Sequence, residues 1–137
     1  MAGQYIDMKA GDGTGSFRGY LALPTTGSGP GLVLAQEIFG VNSTMREVAD
    51  YYAEEGYVVL VPDIFWRQEP NVELGYTEAD WQRAFGFFQG FDEAKGMEDI
   101  QTAITTLRAT PEVTGKVGVL GFCLGGKLAY LAACRTD

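Results

Sequence analysis

Cys123 is the residue whose setting points most directly to chemistry. It stands at the centre of Gly121-Phe-Cys123-Leu-Gly125, after the apolar run Val117-Gly-Val-Leu120 and before the Ala/Leu-rich stretch Gly126-Lys-Leu-Ala-Tyr-Leu-Ala-Ala133. A strand that turns sharply into a helix around Gly-x-nucleophile-x-Gly is a nucleophile elbow, here with sulfur in place of the usual hydroxyl. The spacing has a steric cause. The nucleophile occupies a strained turn, so the residues two places to either side must lack a Cβ for strand and helix to pass closely. The helix then aims its first amides and the positive end of its dipole at the sulfur, which favours thiolate and offers the Leu124 N–H as one half of an oxyanion hole. The plainer alternative is a small buried hydrophobe, since unpaired cysteines are among the most buried residues. The bracketing glycines favour the nucleophile. For Cys134, in the apolar pattern of the last helix with no such turn around it, a packing role is expected.

The sequence contains no histidine. That excludes a His-ligated metal in this chain and removes the usual base from a thiol nucleophile; no metal and no cofactor are expected. Two glycine-rich stretches resemble nucleotide sites and fail on context. Gly121 to Lys127 fits G-x-x-x-x-G-K, but Leu128 stands where Ser or Thr would hold magnesium. Gly11-Asp-Gly-Thr-Gly-Ser16 precedes a strand where a phosphate-binding helix should begin, so it reads as a turn.

The elements that must position Cys123 are legible from periodicity. Tyr5 to Lys9 and Phe17 to Leu23 alternate and flank that turn, which predicts an antiparallel hairpin at a sheet edge. Beyond Pro24, unbroken apolar strands over 31–36, 57–61 and 116–120 alternate with helices, as in a parallel sheet buried on both faces. The first helix, over 43–55, has Thr44 and Glu47 at capping-box spacing and Gly56 where a left-handed terminal residue belongs. Another over 92–109 opens on Asp92 as N-cap and places Met97, Ile100, Ile104 and Leu107 on one face. Between Pro62 and Asp92 the chain is aromatic and irregular, suited either to walling a ligand pocket or to covering one sheet face.

With 137 residues, a single domain over 1–137 is expected. A net charge of −8 with no basic cluster disfavours nucleic acid and anionic lipid and leaves small molecules as the expected partners. The start carries neither a basic nor an apolar leader region, and no apolar run is long enough to span a bilayer, so a cytoplasmic protein is expected.

Gln36-Glu37-Ile38-Phe39-Gly40, Val61-Pro62-Asp63 and Gly121-Phe-Cys-Leu-Gly-Gly126 together resemble the dienelactone hydrolase family, over nearly the whole chain. The resemblance implies an α/β-hydrolase fold, with a mostly parallel sheet and an N-terminal antiparallel hairpin, ending after the elbow helix. It implies that Cys123 attacks the carbonyl of a lactone or small ester, that Glu37 holds and deprotonates the thiol, and that the Ile38 and Leu124 amides bind the oxyanion. It further implies an arginine for the substrate carboxylate, for which Arg83 is the candidate in the aromatic segment. Family members complete a Cys-His-Asp triad from later loops, and neither partner is present here. The chain is therefore expected to be the N-terminal part of a longer hydrolase, inactive by itself, with its elbow strand exposed as an edge for self-association. The competing classes are a shortened, inactive α/β binding or structural protein and, less favoured, a nucleotide binder.

Overall fold

The computed structural model describes residues 3–136, so Met1, Ala2 and Asp137 of the terminal segments lie outside the described residues. Strands β1 (Gln4–Lys9), β2 (Ser16–Ala22) and β3 (Gly29–Ala35) lead into helix α1 (Ser43–Glu54), then β4 (Val58–Pro62), α2 (Glu78–Gln89), α3 (Glu93–Ala109), β5 (Val113–Gly121) and α4 (Leu124–Arg135). One five-stranded sheet runs in the order β1-β2-β4-β3-β5. The β1–β2 hairpin is antiparallel as expected, but β2 also meets β4 antiparallel, so only β4–β3 and β3–β5 are parallel. The sheet is thus more evenly mixed than the sequence suggested.

Strand order sets the position of the site. From β3 the chain crosses through α1 to β4 on one side, then returns through α2 and α3 to β5 on the other. The order reverses at β3, and α/β sheets open a crevice at the carboxyl ends of the strands at such a point. Those ends, of β3 and β5, lead into Glu37 and Cys123.

Period-two alternation sorts the core into two layers. Val33, Ala35, Val58 and Leu60 face α3 and α4 in a cluster with Ile100, Ala103, Leu107, Leu124 and Leu128. Leu34, Val59 and Val61 face Met45, Ala49 and Ala53 of α1. All five residues of β4 are buried, as a central strand requires, whereas β5 is half-exposed along its length at the edge.

Three expectations are corrected. Helix α1 is capped by Asn42, not Thr44: the Met45 N–H donates to Asn42 Oδ1 at 3.1 Å, while Asn42 Nδ2 donates to the Leu74 carbonyl at 2.9 Å. The second bond comes from a residue 32 positions away and fixes a cap that local spacing misplaces by two residues. Gly56 does take the left-handed conformation, with φ +108°. The aromatic segment contains a regular helix, α2, capped by Thr77 and with Glu78 and Asp80 in its first turn; only Ala84 of it is buried, so no apolar stripe announces it. Cys134 is exposed rather than packed, because the buried stripe of α4 follows Leu124, Leu128 and Ala132 and turns residue 134 outward. Helix α3 matches expectation: Asp92 caps it and Met97, Ile100, Ile104 and Leu107 are buried.

Candidate active site

The turn at the end of β5 has the conformation an elbow needs. Cys123 holds φ 58° and ψ −122°, a region that L-residues avoid at a cost of roughly 1–3 kcal/mol. The glycines make this turn fit. A Cβ on Gly121 would strike the Gly125 backbone, and a Cβ on Gly125 would strike the Ala35 carbonyl. The first turn of α4 therefore lies directly against the end of β3. The Cys123 side chain is exposed, so the buried-hydrophobe alternative does not describe it.

Register brings Glu37 to the same place. Ala35 pairs with Gly121 across parallel strands, so Glu37 and Cys123 each lie two residues past a matched pair. Neighbouring strands run about 4.8 Å apart. Glu37 is half-buried, and the next residue, Ile38, is buried. Among the described residues, neither the Ile38 nor the Leu124 N–H donates to a protein acceptor, leaving both amides for a ligand.

The loop carrying Glu37 is braced by residues whose role the sequence alone does not reveal. Gln36 is fully buried; its Nε2 donates to the Glu37 carbonyl at 2.9 Å and its Oε1 accepts the Ile64 N–H at 3.3 Å. Farther along, the Leu74 N–H donates to the Phe39 carbonyl at 2.9 Å, and Gly40 bridges Glu73. The 71–74 loop that makes these contacts is held in turn by Asp63, whose Oδ2 accepts the Asn71 N–H at 2.7 Å. Asn71 itself is left-handed, with φ 63°.

Asp63 is 3% exposed, and its Oδ1 has no partner among the described residues. A cavity of about 10 Å³, the size of one water, adjoins it beside Tyr5, Arg18 and Asn71. Burial pushes the carboxyl up to about 6, against the Asn71 and Phe65 amides and the Arg18 charge, which favour the anion. Since the folded value exceeds the ordinary 3.8, the folded chain binds this proton more tightly than the unfolded one. The stabilisation from protonated Asp63 is complete below about pH 4 and is lost as pH rises through 6, a change of about 3 kcal/mol. Asp63→Asn is expected to abolish that slope in denaturant titrations between pH 4 and 7; an unchanged slope would show that another group carries it.

Arg83 has a carboxylate partner of its own. On α2, its guanidinium pairs with Glu69 at 3.1 Å, both side chains about half-exposed, and lies over the Phe87 ring. Lys127, central to the nucleotide-binding alternative, pairs with Glu93 at 2.8 Å, and Leu128 is fully buried. Among the described residues no group of His, Cys, Asp or Glu could hold a metal ion, and no helix is long and apolar enough to cross a membrane.

Comparison with known proteins gives the family and the fold. The model of the dienelactone hydrolase family matches residues 17–137. The chain is 42% identical over 123 residues to carboxymethylenebutenolidase 1 of Cupriavidus pinatubonensis, covering 89% of this chain and 53% of that one. It is 42% identical over 134 residues to a Pseudomonas carboxymethylenebutenolidase, covering 97% and 55%. Among solved structures, a dienelactone hydrolase-like promiscuous phosphotriesterase from metagenomic libraries superposes with TM-score 0.69 at 27% identity, over 95% of this chain and 53% of that one. An α/β hydrolase from Penicillium superposes at 0.72 and 19% identity, over 98% and 42%, and shares the fold. The chain spans about half the length of the curated relatives it matches.

Proposed function

Because the chain belongs to the dienelactone hydrolase family, we propose that it carries the nucleophilic half of a hydrolase for lactones or small carboxylic esters, with Cys123 as nucleophile. The observation that carries this reading is the strained Cys123 backbone, held at the end of β5 in register with Glu37. Glu37 takes the thiol proton as sulfur attacks the ester carbonyl, and the Ile38 and Leu124 amides receive the charge that develops on oxygen. The carbon–oxygen bond then breaks, the departing alkoxide takes the proton from Glu37, and a thioester remains on Cys123. Water must cleave that thioester, and doing so at speed needs a base such as the histidine this sequence lacks.

The 137-residue chain is accordingly expected to release about one nitrophenolate per molecule from 4-nitrophenyl acetate and then stall. A trace with no burst would end the assignment, and sustained turnover would show that no further residues are needed. Arg83 enters as a substrate contact only if a substrate carboxylate displaces Glu69, an exchangeable partner at such exposure. Arg83→Gln is then expected to leave acylation by neutral esters unchanged and to slow acylation by carboxylate-bearing ones severalfold; equal rates would remove Arg83 from the site. The half-exposed β5 edge supports pairing between copies of the chain.

A further inference from the structure

Building on Cys123 as the nucleophile, we propose that Asp63 is a positioning residue for acylation: its carboxylate holds the loop that aims the Ile38 amide at the oxyanion, and its protonation relaxes that aim. The Ile38 amide lies between two clamps, and both lead to Asp63. On one side Gln36 Nε2 donates to the Glu37 carbonyl, while Gln36 Oε1 accepts the N–H of Ile64, the residue after Asp63. On the other, the Phe39 carbonyl accepts the Leu74 N–H, and Gly40 lies so close to the same loop that a Cβ there would strike the Val72 carbonyl. That loop begins at Asn71, whose N–H donates to Asp63 Oδ2 at 2.7 Å. A hydrogen bond to an ionised acceptor is about twice as strong as a neutral one, so this bond weakens when the carboxyl takes a proton.

The second oxygen has room for that proton. Asp63 Oδ1 has no partner among the described residues, and Asp63 lines the one-water cavity. The charged and titratable groups around it come from β1, β2 and α1. Arg18 of β2 favours the anion, and its guanidinium lies 3.9 Å over the Tyr5 ring of β1. Asp7 stands opposite Arg18 in the hairpin register, and Arg46 of α1 joins the Tyr5 hydroxyl to Glu73. Burial outweighs Arg18 and pushes the carboxyl up to about 6, so the anion present at neutral pH costs stability that a neutral side chain would not. A charge kept at that cost where both clamps meet is explained by what it holds.

Acylation uses the oxyanion amides and alkylation does not, so the ratio of the two rates at Cys123 reads the aim of Ile38. In the full chain carrying Cys134→Ala, acylation by 4-nitrophenyl acetate and alkylation by iodoacetamide, in which the sulfur–carbon bond forms as iodide leaves, are measured from pH 5 to 8. The ratio is then divided by that of the same chain with Asp63→Asn, whose side chain mimics the protonated acid, which cancels the titration of the other groups. The quotient is expected to be near one at pH 5 and to rise about tenfold through a midpoint near 6, a fraction of what losing one oxyanion donor outright costs. Arg18→Met removes the charge that favours the anion and should move the midpoint upward. A quotient of one throughout would overturn the proposal, and so would a raised quotient that pH does not change, which is what lost packing alone would give. A midpoint that Arg18→Met does not move would assign the titration to another group and overturn it too. These outcomes leave the nucleophile standing, whereas a Cys123 that neither reagent modifies would overturn the nucleophile and the positioning with it.

Discussion

In Cys123→Gly, the ester burst is expected to vanish while the fold becomes more stable. The two effects have one source. At φ 58° and ψ −122° a Cβ is strained by roughly 1–3 kcal/mol. Glycine relieves that strain and gives back about 0.5–1 kcal/mol through the freedom it adds to the unfolded chain, so a net gain of about 1 kcal/mol is expected. The thiol is exposed, so its removal leaves no cavity. Denaturant titration checks stability and 4-nitrophenyl acetate checks chemistry. A loss of stability would mean that the thiol is a packing group, and a surviving burst would place the nucleophile elsewhere.

Asp99→Ala is expected to cost the most stability of any single polar substitution in this chain. Asp99 is fully buried on α3 and accepts from Arg67 at 2.9 and 3.0 Å and from the Trp66 indole N–H at 2.9 Å. Arg67 also reaches Asp12 at 2.8 Å, which Lys95 joins at 3.0 Å. These partners hold the Arg67 pKa well above its usual value, first through the Asp99 hydrogen bonds, and hold the Asp12 carboxyl well below the usual carboxylate range, first through Thr14. Removing one partner of a fully buried pair costs about 3–5 kcal/mol; Asp12 still compensates part of the Arg67 charge, so the low end, about 3 kcal/mol, is expected. For a domain of this size that lowers the melting temperature by roughly 10 °C. The β1–β2 turn and the segment after β4 should both lose amide protection, since Arg67, which Asp99 holds, links them. A melting point within a few degrees of wild type would show that Arg67 finds other partners.

What the sequence reveals and hides follows the range of the interactions. The elbow is legible because its sterics lie within five consecutive residues, Gly121 to Gly125, and Glu37 because parallel register carries it to the same sheet end. Helix α3 is legible because four apolar residues repeat on one face. The α1 cap, the Gln36 brace and the Arg67–Asp99 pair are not, since each joins residues 28 to 32 positions apart. Helix α2 carries a Thr77-x-x-Asp80 start that could have revealed it, but only Ala84 of it is buried, so an amphipathic pattern gives no sign of it. The pairing of Arg83 with Glu69, 14 positions away on an exposed face, is likewise not legible from residue type.

The central claim is that sulfur at position 123 forms the acyl bond. The most direct measurement is peptide mass mapping of the unmodified chain after brief exposure to 4-nitrophenyl acetate, quenched in acid to preserve thioesters. One acetyl group on the peptide containing Cys123, with Cys134, also exposed, unmodified, is the predicted result. Equal labelling of the two cysteines, or an adduct on any other side chain, would contradict it.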